Sequence, residues 1–206
     1  MSVVTVLLVL ANVLGVGMIV PQAIRLARVR SLAGVSVPWI GISLALNAWW
    51  IGYGVAQARW GVVPVSIGGF LLYLWMARLA VGIGGPVLVR GLLGGVAAAS
   101  VGPAVGLVTG GWLVAGLIIG LSYGVQFAPA AWSAVRSERL DGISPATWVM
   151  AWAEAAIWFV YGLDAGDAAL LVGGGGGTVM ASIILVRLLD RRGGDEPVSR
   201  LARLSS

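Results

Sequence analysis

The chain has 206 residues, of which 59% are hydrophobic and only 10% charged. Soluble domains carry roughly a quarter charged residues, so this composition excludes a water-facing globule and reads as an integral membrane protein. The net charge of +5 rests on arginine alone, and Cys and His are both absent. Their absence excludes disulfides, thiol nucleophiles, Ser-His-Asp triads, haem and ordinary zinc sites, so neither catalysis nor a cofactor or metal is expected.

Seven apolar runs follow one another, most close to the roughly 20 residues that span ~30 Å of hydrocarbon. The first covers about residues 3–24 and carries Pro21; it lacks a basic leader and a small-residue cleavage site, so it reads as a retained helix. The second covers 37–56, and the third, 61–77, carries Pro64, Gly68 and Gly69. Ile83-Gly84-Gly85-Pro86 is a turn signal. The fourth run then covers 91–109, the fifth 112–132 with Pro129, the sixth 145–161 and the seventh 168–186. From Arg191 the tail is polar and is expected to be disordered.

Arginine placement orients these runs. With the N-terminus outside and the C-terminus inside, every one of the 13 arginines except Arg59 falls in an inner loop or the inner tail. Asp164 and Asp167 fall outside. This is the positive-inside bias, and it gives the arginines a role in topology rather than in binding nucleic acid or substrate.

A shift of 108 residues superimposes Pro21 on Pro129, Arg28 on Arg136, Gly34 on Gly142, Ser36 on Ser144, Trp50 on Trp158, Tyr53 on Tyr161 and Gly54 on Gly162. Glycines and tryptophans returning in register mark an internal duplication. The expected organisation is all-α, with a three-helix repeat over 1–82, a linker transmembrane helix over 83–110 and a second repeat over 111–189. A polar tail over 190–206 completes it. Three spans reverse the side of the membrane, so one extra crossing lets the second repeat keep the orientation of the first. Parallel repeats of this kind place a substrate path at their interface.

Two polar residues stand at membrane depth. Glu154 is an acid well inside a span, where a charge costs ~2.5–3.5 kcal/mol and marks a functional or cavity-facing position. Asn47 lies near the matching depth of the first repeat, one turn from Trp50. Trp39, Trp60, Trp112 and Trp132 fall near predicted ends and read as interfacial anchors. Gly68-Gly69 and the run Gly173 to Gly177 lack the strand and Gly-Lys-Ser/Thr ending of a phosphate loop and read as close helix packing. Pro21 and Pro129 each remove one helical hydrogen bond.

Pro21-Gln22, Gly34-Val35-Ser36 and Trp50-x-x-Tyr53-Gly54, repeated as Pro129-Ala130, Gly142-Ile143-Ser144 and Trp158-x-x-Tyr161-Gly162, resemble the PQ-loop superfamily. The nearest likeness is to its SWEET and SemiSWEET sugar-transporter branch, and it covers Met1 to about Leu189. The resemblance implies a 3+1+3 helical membrane carrier that moves mono- or disaccharides by alternating access and facilitated diffusion. Pro21, Gln22 and Pro129 would then be hinge positions, and Trp50 and Trp158 would wall a central pocket. Gly17 and Leu14 in the first repeat, with Val125 and Ser122 in the second, match pocket-facing positions of the family. Gly68 would leave space for substrate. The family's third helices present asparagines that this chain lacks, so Asn47 and Glu154 are expected to take over as hydrogen-bonding groups. The expected partners are a small-molecule substrate and the lipid bilayer of a bacterial inner membrane, with a homo-oligomer left open. Glu154 also leaves room for a proton-coupled amino-acid transporter of PQ-loop type. A non-transporting receptor or sorting subunit is the remaining alternative.

Overall fold

The computed structural model describes residues 2–136 and 144–204, without the side chains of Pro129 and of residues 191–204. Gly142 and Arg139, both used in the sequence reading, lie outside the described residues. The described residues are helical apart from short connections. The helices are α1 (Val3–Val29), α2 (Val37–Ala56), α3 (Val63–Gly84), α4 (Leu88–Arg136), α5 (Pro145–Ala165) and α6 (Ala168–Leu204), with a 3-10 turn at Trp60–Val62 before α3. Five of the helical segments are long and apolar enough to cross a membrane. α2 falls short in hydropathy because Asn47, Trp49, Trp50 and Tyr53 interrupt its aliphatic residues.

α4 has 49 residues, which would reach about 74 Å if straight, more than twice a bilayer core. It breaks at Gly110 and Gly111, where φ/ψ leave the helical region and Gly111 takes φ 65°, open to glycine without strain. The limbs 88–109 and 112–136 fold back on each other, with Ile118 of the second against Gly102 and Gly106 of the first.

The repeated motif has a local explanation. Gly34 turns the chain with φ 76°. Ser36 and Ser144 then cap α2 and α5, each accepting a bond from the backbone N–H three residues on, Trp39 and Thr147, at 3.4 Å. Both helices carry Pro in their first turn, where no hydrogen bond is lost. At the other end, Gly54 and Gly162 let α2 and α5 approach the helices that follow. A Cβ on Gly54 would meet Val63 at 2.8 Å, and one on Gly162 would meet the Leu171 nitrogen at 2.8 Å.

The helices form a ring. α1 packs on α3 (Val16 on Gly68), α3 on α2 (Gly69 under Asn47), and α2 on the second limb of α4 (Gly52 under Trp112). That limb packs on α6 through Gly120 and Gly173, where a Cβ on Gly173 would stand 3.3 Å from the Gly120 backbone, and through Gly124 and Gly176. α6 packs on α5, and α5 closes the ring on α1 at Gly15. The run Gly173 to Gly177 is therefore a packing surface toward both the second limb of α4 and α5. The first limb of α4 lies outside the ring against α2, where Gly41 and Gly95 bring the two backbones together at Leu92 and Pro38.

One expectation changes. α3 extends past residue 77 to Gly84, because Leu79, Ala80 and Val81 continue its apolar face. The helical backbone of α6 runs to Leu204.

Candidate functional site

The ring encloses a cavity of about 310 Å³. α1 contributes Gly15, Met18, Ile19 and Gln22; α2 contributes Trp39, Ser43, Leu46, Asn47 and Trp50; and Val62 with α3 contributes Val65, Ser66 and Tyr73. From the other half come Tyr123, Gln126 and Phe127 of α4, Thr147, Trp148, Ala151, Glu154 and Trp158 of α5, and Leu170, Gly173 and Gly174 of α6. The first limb of α4 lines none of it among the described residues.

Glu154 is 5% exposed and is held on both oxygens. Trp158, one turn on, donates its indole N–H to Oε1 at 2.9 Å, and Tyr123 donates its hydroxyl to Oε2 at 2.7 Å. Gly15 lets α1 close over the carboxylate, since a Cβ there would stand 2.7 Å from Oε1 and 2.6 Å from Val65. Asn47 bonds back to its own helix, Nδ2 to the Ser43 carbonyl at 2.8 Å, and its Oδ1 lies against Gly69. Ser43 is buried in the wall and its hydroxyl oxygen has no hydrogen-bond partner.

One end of the cavity is sealed. Trp50 meets Tyr53 edge-to-face with ring centroids 5.7 Å apart, and Trp158 meets Tyr161 in the same way at 6.2 Å. Beyond Trp50, the Tyr53 hydroxyl donates to Asp167 at 2.8 Å, and Arg59 Nε donates to Asp167 Oδ2 at 2.7 Å. Asp167 is 3% exposed and also caps α6 by accepting from the Leu170 N–H at 3.1 Å. The hydrogen bond to Asp167 raises the Arg59 pKa further, so that guanidinium stays charged. Arg59 and Asp167 are themselves 108 residues apart. Equivalent positions of the two repeats thus carry opposite charges and pair with each other.

The buried clusters repeat this division. Near the Arg59–Asp167 end they cross between the halves. One joins Ala11 and Val62 to Ile157, Trp158 and Leu170, and another joins Tyr53 to Ile119 and Ala169. Near the Ser36–Ser144 end, one cluster (Ala23, Leu26, Ile40, Met76, Ala77, Ala80) stays in the first half. Its counterpart (Ala131, Ala134, Ile184, Leu188) stays in the second. There Gln22 and Thr147, both exposed, border the cavity mouth.

The structure brings Trp50, Trp158, Asn47 and Glu154 to the cavity. It places the other expected residues elsewhere. Gly17 is exposed, Val125 is 64% exposed on the outer face, and Ser122 bonds to its own helix at the Ile118 carbonyl. Leu14 does not line the cavity, and Gly68 packs on Val16. The cavity-facing positions lie one residue further along, at Gly15 and Met18 in α1 and at Tyr123 and Gln126 in α4. One residue turns a helix by about 100°, enough to carry a side chain from cavity to exterior. Gln22 borders the cavity. α1 is helical on both sides of Pro21, and Pro129 lies within helical backbone.

Sequence reasoning missed Ser43, Tyr73, Tyr123 and Gln126. The signal for Tyr123 and Gln126 was their 108-residue correspondence to Gly15 and Met18. Trp39 and Trp112, expected as interfacial anchors, turn inward. Trp39 lines the cavity, and Trp112 stacks edge-on against Trp49 and Tyr53, in each case at 6.3 Å. Trp60 and Trp132 are exposed, at 62% and 61%.

Fold and site together define a protein, all-helical among the described residues, whose long apolar helices are those of an integral membrane protein, with an internal cavity whose mainly apolar wall carries a few polar groups. No family model matches the chain, and no curated protein matches its sequence.

Proposed function

We propose that the protein is a SWEET-like alternating-access carrier that moves a small neutral solute, a mono- or disaccharide, down its gradient. In this reading seven spans form two parallel three-helix repeats joined by the first limb of α4. The N-terminus is outside, and the cavity opens toward the cytoplasm of a bacterial cell. No catalysis is involved.

The observation that carries the proposal is the distribution of buried contacts. Apolar clusters and the Tyr53–Asp167–Arg59 network tie the halves together at one end, while at the other the buried clusters of the described residues each stay within one half. Two rigid units hinged in this way need only exchange which end is closed. The Arg59–Asp167 pair then acts as the outer gate. Ligand pockets run from about 300 to 1,000 Å³, so a cavity of about 310 Å³ suits a monosaccharide better than a disaccharide. The indoles of Trp50 and Trp158 supply flat faces for the C–H face of a sugar ring.

Glu154 supports a second reading, proton-coupled amino-acid transport, because an intramembrane carboxyl can bind and release a proton. Uptake into proteoliposomes of labelled glucose, sucrose and a panel of amino acids, with and without a pH gradient, separates the two. Sugar flux indifferent to the gradient is expected. Gradient-driven amino-acid flux would replace the sugar reading with the second. No flux of any of them would leave a receptor or sorting subunit.

A further inference from the structure

We infer that the solute recognised in the cavity is an amino sugar, a hydroxylated ring bearing one ammonium group, with the ammonium held at Glu154. The inference rests on the carrier reading and narrows its substrate class.

Among the described lining residues Glu154 is the one charged side chain, and no arginine faces it. The Arg59 guanidinium is already engaged by Asp167 at 2.7 Å. A carboxylate withdrawn from water is strongly unfavourable without a counter-charge. The two protein donors on it, Tyr123 and Trp158, are neutral. They fill two of its roughly four acceptor positions and fix its orientation, leaving acceptor capacity for an N–H donor from the cavity. An ammonium group supplies both the missing charge and the donors.

The rest of the wall fits the rest of such a molecule. Gln22, Ser43, Asn47, Ser66, Gln126 and Thr147 are uncharged hydrogen-bonding groups suited to hydroxyls. The Ser43 hydroxyl is buried and has no partner within the protein. On the Glu154 side, Tyr123, Phe127 and Trp148 form a continuous aromatic wall, with successive centroids 5.4 and 5.6 Å apart. Rings of this kind attract a cation through their quadrupole and also stack on a sugar. A neutral sugar would satisfy the hydroxyl groups and leave the carboxylate uncompensated. A simple alkylamine would do the reverse.

The test compares glucosamine with glucose, which differ by an ammonium in place of one hydroxyl, and with the uncharged N-acetylglucosamine. Binding to the purified protein in detergent is read by tryptophan fluorescence at neutral pH, where most of the glucosamine amine is protonated and the Glu154 carboxyl is less protonated than in acid. Glucosamine is expected to bind at least about tenfold tighter than glucose, the worth of roughly one charge-assisted contact. Glu154→Gln should abolish the difference between the two sugars. Equal affinity of the wild-type protein for the two sugars overturns the inference, as does the absence of binding by either. So does a glucosamine preference that survives in folded Glu154→Gln. The wild-type comparison decides the matter even if that variant does not fold. Flux is read separately in proteoliposomes. A glucosamine preference without flux supports the site and removes the carrier, whereas equal glucose and glucosamine flux removes the inference and leaves the carrier intact.

Discussion

Gly15 occupies a tight point between the two halves, with Val65 on one side and the Glu154 carboxylate on the other. A single methyl there has to push one of those side chains aside. Gly15→Ala is expected to lower stability by about 1–3 kcal/mol, as overpacking does, and to slow uptake by displacing Glu154. Thermal unfolding in detergent alongside proteoliposome flux measures both, and an unchanged midpoint would contradict the packing described. Asp167 gathers four roles: acceptor for Tyr53, partner of Arg59, cap of α6 and a buried charge. Breaking a buried pair costs about 3–5 kcal/mol, and the 31% exposure of the Arg59 side chain moderates that here. Asp167→Ala should therefore destabilise by about 2–3 kcal/mol. The swap Arg59→Asp with Asp167→Arg should recover part of the loss in unfolding midpoint, although α6 keeps no acidic cap. A swap no better than the single variant would show that capping, not the ion pair, dominates.

Among the helices, close approach depends on which face a glycine occupies. Gly94 and Gly95 are neighbours on the first limb of α4. A Cβ on Gly94 meets nothing within 4 Å, while one on Gly95 runs into the backbone of α2 at Pro38. Gly94→Ala is expected to be neutral or to stabilise by up to about 1 kcal/mol through helix propensity. Gly95→Ala should part α2 from α4 and lower the unfolding midpoint. Equal effects of the two would contradict the packing. The serine caps belong at this scale too. Ser36→Ala and Ser144→Ala should each cost about 1 kcal/mol by freeing the first turn of α2 or α5.

At the scale of the molecule, opening one end requires closing the other. The chain has no cysteine, so single-cysteine variants report accessibility without background labelling. Gln22→Cys, at the exposed mouth, should react readily with a water-soluble maleimide, and Val62→Cys, 3% exposed under the sealed end, should be protected. Adding Asp167→Ala should raise labelling at position 62 and reduce it at position 22. Labelling that changes at both sites in the same direction would mean loosening, not exchange.

Much of this was legible in the residues. Low charge and long apolar runs required helices of membrane length, because an unpaired backbone is too unfavourable in hydrocarbon for any open alternative. The 108-residue correspondence located Ser36, Ser144 and the Trp-x-x-Tyr-Gly corners, since each has a local cause that travels with the sequence, and Glu154 stood out as an acid inside a span. Rotation about each helix axis did not travel in this way. Nearly every side chain in these spans is apolar or small, so hydropathy gives no face, and an error of one residue placed Gly17 and Val125 in the cavity instead of Met18 and Gln126. Only the assembled ring decided that Tyr123 and Trp158 would meet on Glu154, and that Arg59 and Asp167, matched in the repeats, would neutralise each other. Those contacts join residues between 4 and 108 apart in the chain, and most depend on glycines at the crossings that let the helices approach closely enough to make them.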